Sequence, residues 1–98
     1  MKFSDLNFQP HPHYRGDGIQ AKHFFDNGYG VSVVKFPGSY GYESGLYELA
    51  VIKLIGENEE PTFDADFEIC YDTPITDDVL GHLSEEKIEV LLYEVENL

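Results

Sequence analysis

The side chains able to do chemistry in these 98 residues are four histidines, one cysteine and nineteen carboxylates, and their spacing decides what they can do. His11 and His13 stand at i, i+2 in Gln9-Pro10-His11-Pro12-His13, where an extended backbone offers both imidazoles to one side, as a metal would need. No cysteine or carboxylate pair accompanies them at ligand spacing, so no metal is assigned. His23 falls on the apolar face of a strand-like run and reads as a satisfied inward or edge histidine rather than a general base. Cys70 lies among carboxylates, which disfavour the thiolate a nucleophile needs. Being alone it forms no internal disulfide, which fits a cytosolic protein. Asp64 and Asp66, with Glu57, Glu59 and Glu60, offer oxygens to Ca²⁺, yet they lack the EF-hand order that closes on Gly and a final Glu. A solvated acidic loop is the expectation. Glycines 38, 41 and 45 match neither phosphate-binding pattern and precede no helix. The Arg15-Gly16-Asp17 triplet is too short to carry an argument. No catalytic residue, cofactor or metal is expected, and the chain reads as a non-enzyme.

Recognition chemistry is better represented. Pro37-Gly38-Ser39-Tyr40-Gly41-Tyr42-Glu43-Ser44-Gly45 combines tyrosine with serine and glycine, the composition of adaptable binding loops. Its glycines and proline exclude regular structure, so Tyr40 and Tyr42 ride on a mobile loop or fold back over the sheet. Charge is distributed unevenly. Through Tyr42 four basic residues meet three acids, a balance of +1, whereas from Glu43 onward sixteen acids face Lys53 and Lys87, a balance of −14. Such a surface repels nucleic-acid phosphates and anionic lipid and attracts cationic partners, or it serves solubility alone. Tyr40, Tyr42, Glu43 and Tyr47, with Glu85, Glu89 and Glu96 on a helix face, form the candidate binding set.

Those residues must be positioned by a small set of elements. The length suits one domain, and 42% hydrophobic residues give it apolar mass to fold. Residues 1–17, with Pro10 and Pro12, read as an extended N-terminal arm that docks through Phe3, Leu6 and Phe8 or orders on a partner. Residues 18–98 read as a single α+β domain. Strands are expected at Gly18–Phe25, Tyr29–Phe36, Leu46–Leu54 and Phe67–Asp72, with Asn27-Gly28 as a type I′ hairpin turn. Both faces of the second strand are apolar, so one face meets a helix and the other is partly covered, by the arm or by a second subunit. Thr76, Asp77 and Asp78 resemble an N-cap and first turn that Gly81 stops early. Ser84 caps a helix over 85–97, stapled by Leu83 and Ile88, with Ile88, Leu91, Leu92 and Val95 facing the core. The expected architecture is an antiparallel four-stranded meander sheet with the C-terminal helix packed on one face, ββββα. No apolar run approaches the ~18 residues of a membrane span.

Three stretches together resemble a family of small proteins encoded by tailed bacteriophages and prophages: Phe25-x-Asn27-Gly28-Tyr29-Gly30-Val31-Ser32-Val33, Gly45-Leu46-Tyr47-Glu48-Leu49-Ala50-Val51-Ile52-Lys53, and Tyr71-Asp72-Thr73-Pro74-Ile75-Thr76-Asp77-Asp78-Val79-x-Gly81-x-Leu83. The resemblance covers residues 20–97, leaves the arm outside, and transfers no catalytic residue. It implies expression in the cytoplasm of an infected bacterium. Joined to the charge, it points to a non-catalytic binder or inhibitor of a bacterial host protein, one version of which is mimicry of nucleic-acid phosphates toward a nucleic-acid-binding partner. The alternative is a structural or accessory phage protein that forms a homodimer through an edge strand or the second sheet face.

Overall fold

The alternation of apolar side chains along the central strands is what builds the molecule. In the computed structural model, which describes residues 1–13, 16–55, 67–71, 73–75 and 79–98, six strands form one antiparallel sheet. They are β1 (Gln9–Pro10), β2 (Ile19–Phe24), β3 (Tyr29–Lys35), β4 (Tyr47–Leu54), β5 (Phe67–Ile69) and β6 (Leu80–Leu83), followed by α1 (Glu85–Glu96). The fold is α+β with a C-terminal helix, as expected, but the sheet has six strands rather than four. Register stacks Ala21 opposite Val33, Val33 opposite Leu49, and Val31 opposite Val51. These five side chains form the face against which α1 lays Ile88, Leu92 and Val95, all buried. Removing such side chains from water contributes about 1.5–3 kcal/mol each. That gain holds a helix whose last turn contains no basic residue to complement its dipole.

The two additional strands have different origins. β1 pairs with only Gln20 and Ile19 of β2, so part of the N-terminal arm is sheet. The rest docks: a 3-10 turn at Phe3–Asp5 precedes Leu6, which enters the core, and the Phe3 amide donates to Glu89 Oε1 at 2.7 Å. From Phe3 to Phe8 the arm therefore lies on the helix side. β6 was not expected: Gly81, read as the residue that stops an early turn, lies in a strand in which Leu80 and Leu83 pair with Leu49 and Tyr47 of β4 across a register shift. The expected N-cap at Thr76, with Asp77 and Asp78, lies outside the described residues. β5 and β6 thus share one edge of β4 end to end, β5 on the Ile52–Leu54 half and β6 on the Tyr47–Leu49 half. β5 stops at Ile69, short of the expected Asp72, although the Cys70 amide still donates to the Val51 carbonyl at 2.8 Å. Asp72 and the acidic stretch holding Glu57, Glu59, Glu60, Asp64 and Asp66 are outside the described residues too.

Opposite the helix, Gln20, Ser32, Ala50 and Ile52 are buried. Gln20 Nε2 donates to Ser32 Oγ at 2.9 Å, which satisfies the two polar groups that this face takes out of water. Phe67, Ile69 and Val79 border a small cavity of about 190 Å³ there.

The β2–β3 hairpin departs from expectation in its turn type. Of Asn27 and Gly28 only Gly28 has a positive φ, +87°, and the Gly28 amide donates to the Phe25 carbonyl at 3.1 Å. This is a three-residue loop in which a glycine in the left-handed region follows a turn, rather than a type I′ pair. The reason lies across the molecule. Asn27 Nδ2 donates to the carbonyls of Val95 and Glu96 at 2.9 and 3.1 Å, while its Oδ1 accepts from the Tyr29 amide at 3.0 Å. The turn is shaped to place one side-chain amide on the C-terminus of α1, whose last carbonyls have no intrahelical donor.

Candidate functional site

At the other end of β3 the chain must also reverse, and Ser39 sets how. Its hydroxyl donates to the Phe36 carbonyl at 2.8 Å and accepts from the Phe36 amide at 3.1 Å, and its own amide donates to the same carbonyl at 2.9 Å. A short 3-10 turn follows at Tyr42–Ser44, entered through Gly41 and left through Gly45, both with positive φ. The Leu46 amide returns to the Gly41 carbonyl at 2.9 Å. The connection expected to be irregular and mobile is a chain of closed turns.

This scaffold holds Tyr40 out. Its amide reaches Glu48 Oε2 at 3.4 Å and its carbonyl accepts from the His82 amide at 3.3 Å, so its backbone is bound to both β4 and β6. The ring stacks on His82, centroids 6.3 Å apart at 29°, and remains 62% exposed. Room for it exists because residue 81 is glycine: a Cβ there meets the Tyr40 side chain. His82 itself has φ +57°, the left-handed region that costs a non-glycine residue roughly 1 kcal/mol. Pro37 through Ser44, with His82, enclose an open depression of about 500 Å³. A second, of about 520 Å³, is lined by Gly45, Leu46, Tyr47, Ser84, Glu85 and Glu86.

Five of the seven expected binding residues are brought together here. Tyr40, Tyr42 and Glu43 line the first depression, and Tyr47 and Glu85 line the second. Tyr47 is less a free contact than a pillar: Phe3 and Phe8 pack on it at 5.2 and 5.7 Å, and Lys35 Nζ lies 5.3 Å from its ring centre. Burial, and secondarily negative Glu85, pushes its hydroxyl above the ordinary value. Glu89 is spent on the Phe3 amide, and Glu96 lies at the far end of α1 beside Asn27. His82, Gly81 and Glu86 join the site unforeseen. Nothing in the spacing of Leu80-Gly81-His82-Leu83 shows that β6 would carry Gly81 and His82 beside residues some 40 positions earlier.

Among the described residues the remaining titratable groups do not assemble into a centre. His11 and His13 are adjacent, ring centroids 5.9 Å apart, and the His13 amide donates to His11 Nδ1 at 3.1 Å. His11 packs on Phe36 at 5.0 Å, and burial, then the neighbouring His13, lowers its pKa. His23 meets Phe25 edge-on at 4.8 Å. Cys70 is buried in the core cluster. Among the described residues no three His, Cys, Asp or Glu side chains converge as metal ligands, and no helix is long and apolar enough to cross a membrane.

No family model, curated protein or solved structure matches the chain. The reading of the site therefore rests on its own geometry.

Proposed function

We propose that the protein is a non-catalytic binding module that uses the Tyr40 end of the sheet and the adjoining helix start to occupy a cationic partner. The observation that carries this reading is Tyr40, a large ring 62% exposed yet fixed through its backbone to β4 and β6. An exposed aromatic that is already ordered loses little entropy on binding, which is the property of a hot-spot residue. Glu43, Glu85 and Glu86 border the same surface, and the −14 balance from Glu43 onward extends that sign. A complementary partner presents Lys or Arg around an apolar recess. A bacterial protein that ordinarily holds nucleic-acid phosphates has that chemistry, and the resemblance to phage-encoded proteins favours a host protein of this kind.

Affinity capture from bacterial lysate at two salt concentrations, followed by competition with duplex DNA, tests the proposal. The expected partner is lost at high salt, displaced by DNA, and bound roughly 30-fold more weakly by a Tyr40→Ala chain. Partners indifferent to salt and to charge reversal at Glu43, Glu85 and Glu86 would overturn it. Glu89 is left intact in that design because it holds the N-terminal segment.

One observation favours a second reading as a homo-oligomer. Among the described residues, no strand pairs with the outer edge of β2 beyond Gln20, and such an edge can add a strand from another copy. Sedimentation showing only monomer at high micromolar concentration would exclude it.

A further inference from the structure

Asn27 is followed by glycine, whereas Asn7, Asn58 and Asn97 precede Phe8, Glu59 and Leu98. An asparagine side-chain amide is open to attack by the next backbone nitrogen, and glycine, lacking a Cβ, hinders that approach least. Here the amide at risk is also the group that caps α1, through 2.9 and 3.1 Å bonds to the Val95 and Glu96 carbonyls. We propose that Asn27-Gly28 is a self-modification site at which hydrolytic deamidation removes this cap and releases the last turn of the helix.

The step is redox-neutral and needs only water. The Gly28 nitrogen forms a bond to Asn27 Cγ, the Cγ–Nδ2 bond breaks, and the former Gly28 amide proton leaves with the amine as ammonia. Water then opens the cyclic imide to Asp or isoAsp. The product has lost both N–H groups and sets a carboxylate against two carbonyl oxygens at the negative end of the helix dipole. No basic residue in the last turn offsets it, and Glu94 and Glu96 already stand there.

Native geometry also controls when this happens. The Gly28 N–H is committed to the Phe25 carbonyl at 3.1 Å, and the Asn27 side chain is held from both sides, by the Tyr29 amide and by the helix carbonyls. Attack requires the turn to let go first. One contact therefore sets both the rate of modification and its structural effect.

The test incubates the full chain at mildly alkaline pH in native buffer and in urea, with peptide mapping by mass spectrometry, beside an Asn27→Asp chain. Conversion is expected at Asn27, at least about fivefold slower in native buffer than in urea. The Asn27→Asp chain is expected to melt roughly 5 °C lower, with faster amide exchange at Asn97 and Leu98. Equal rates in the two conditions, or an Asn27→Asp chain with unchanged melting and exchange, overturn the proposal. Should Asn27→Asp not fold, Asn27→Gly, which removes the donor without adding charge, supplies the same exchange readout and must show the same direction.

Discussion

The two connections that flank β3 draw on similar residues and reach opposite outcomes. Between β2 and β3 the polar side chain of the turn, Asn27, reaches across to the helix end and is consumed on the carbonyls of Val95 and Glu96. Between β3 and β4 the polar side chain, Ser39, closes the loop on itself, and the aromatic beside it is left facing water. One end of the sheet spends its chemistry on tethering the helix. The other spends backbone, one hydroxyl and the Glu48 carboxylate on order, and so keeps the Tyr40 ring available. The contrast teaches where to look for a recognition surface: at the ordered group that folding does not use.

Substitutions at the two ends should separate accordingly. Leu92→Ala, beneath both, sets the scale with an expected loss of about 2–5 kcal/mol in urea unfolding, from lost burial and the cavity left behind. Asn27→Ala should cost about 1–2 kcal/mol, because two helix carbonyls lose a donor, Val95 keeping the Leu98 amide at 3.2 Å, with no change in partner binding. A loss below a few tenths would remove the tether from the comparison. Gly81→Ala should push Tyr40 off His82, costing about 1 kcal/mol and weakening partner binding as Tyr40→Ala does; contacts between the two rings in nuclear Overhauser spectra report the displacement. Tyr40→Ala itself should alter stability by no more than about 0.5 kcal/mol while losing binding. A large stability loss there would make Tyr40 a structural ring and erase the distinction.

The smallest effect expected is one of pH at the arm. Burial and His13 lower the His11 pKa below its ordinary 6.5, so neutral His11 is favoured in the fold. The associated stability is fully present above that ordinary value and is lost as pH falls through the lowered one. Chemical shifts of Phe36 and of the Gly18 region should therefore move on acidification, and His11→Asn should abolish the movement.

Much of the architecture was legible because it depends on local pattern. Period-two alternation marked β2, β3 and β4 within about two residues, and Ser84, whose Oγ accepts from the Lys87 amide at 3.2 Å, marked the start of α1. The core stripe Ile88, Leu91, Leu92, Val95 holds, with Leu91 only partly buried. What escaped depends on partners distant in the chain. β6 is four residues with a glycine and a left-handed histidine, and only pairing with β4 makes it a strand. Asn27 announced a turn, but its second task needs a helix end 68 positions later. The same holds for the site: tyrosine and glycine flagged the loop, while its order comes from β4 and β6. Acidity alone placed Glu89 and Glu96 in the binding set, and acidity does not say which carboxylates sit beside a tyrosine.

The arrangement of β5 and β6 has one more consequence. Each half is held separately by β4, at Ile52–Leu54 and at Tyr47–Leu49, so the two need not share one register or open together. That side of the central strand is a divided edge, away from the asparagine tether, and loosening one half leaves the spacing of the other on β4 intact.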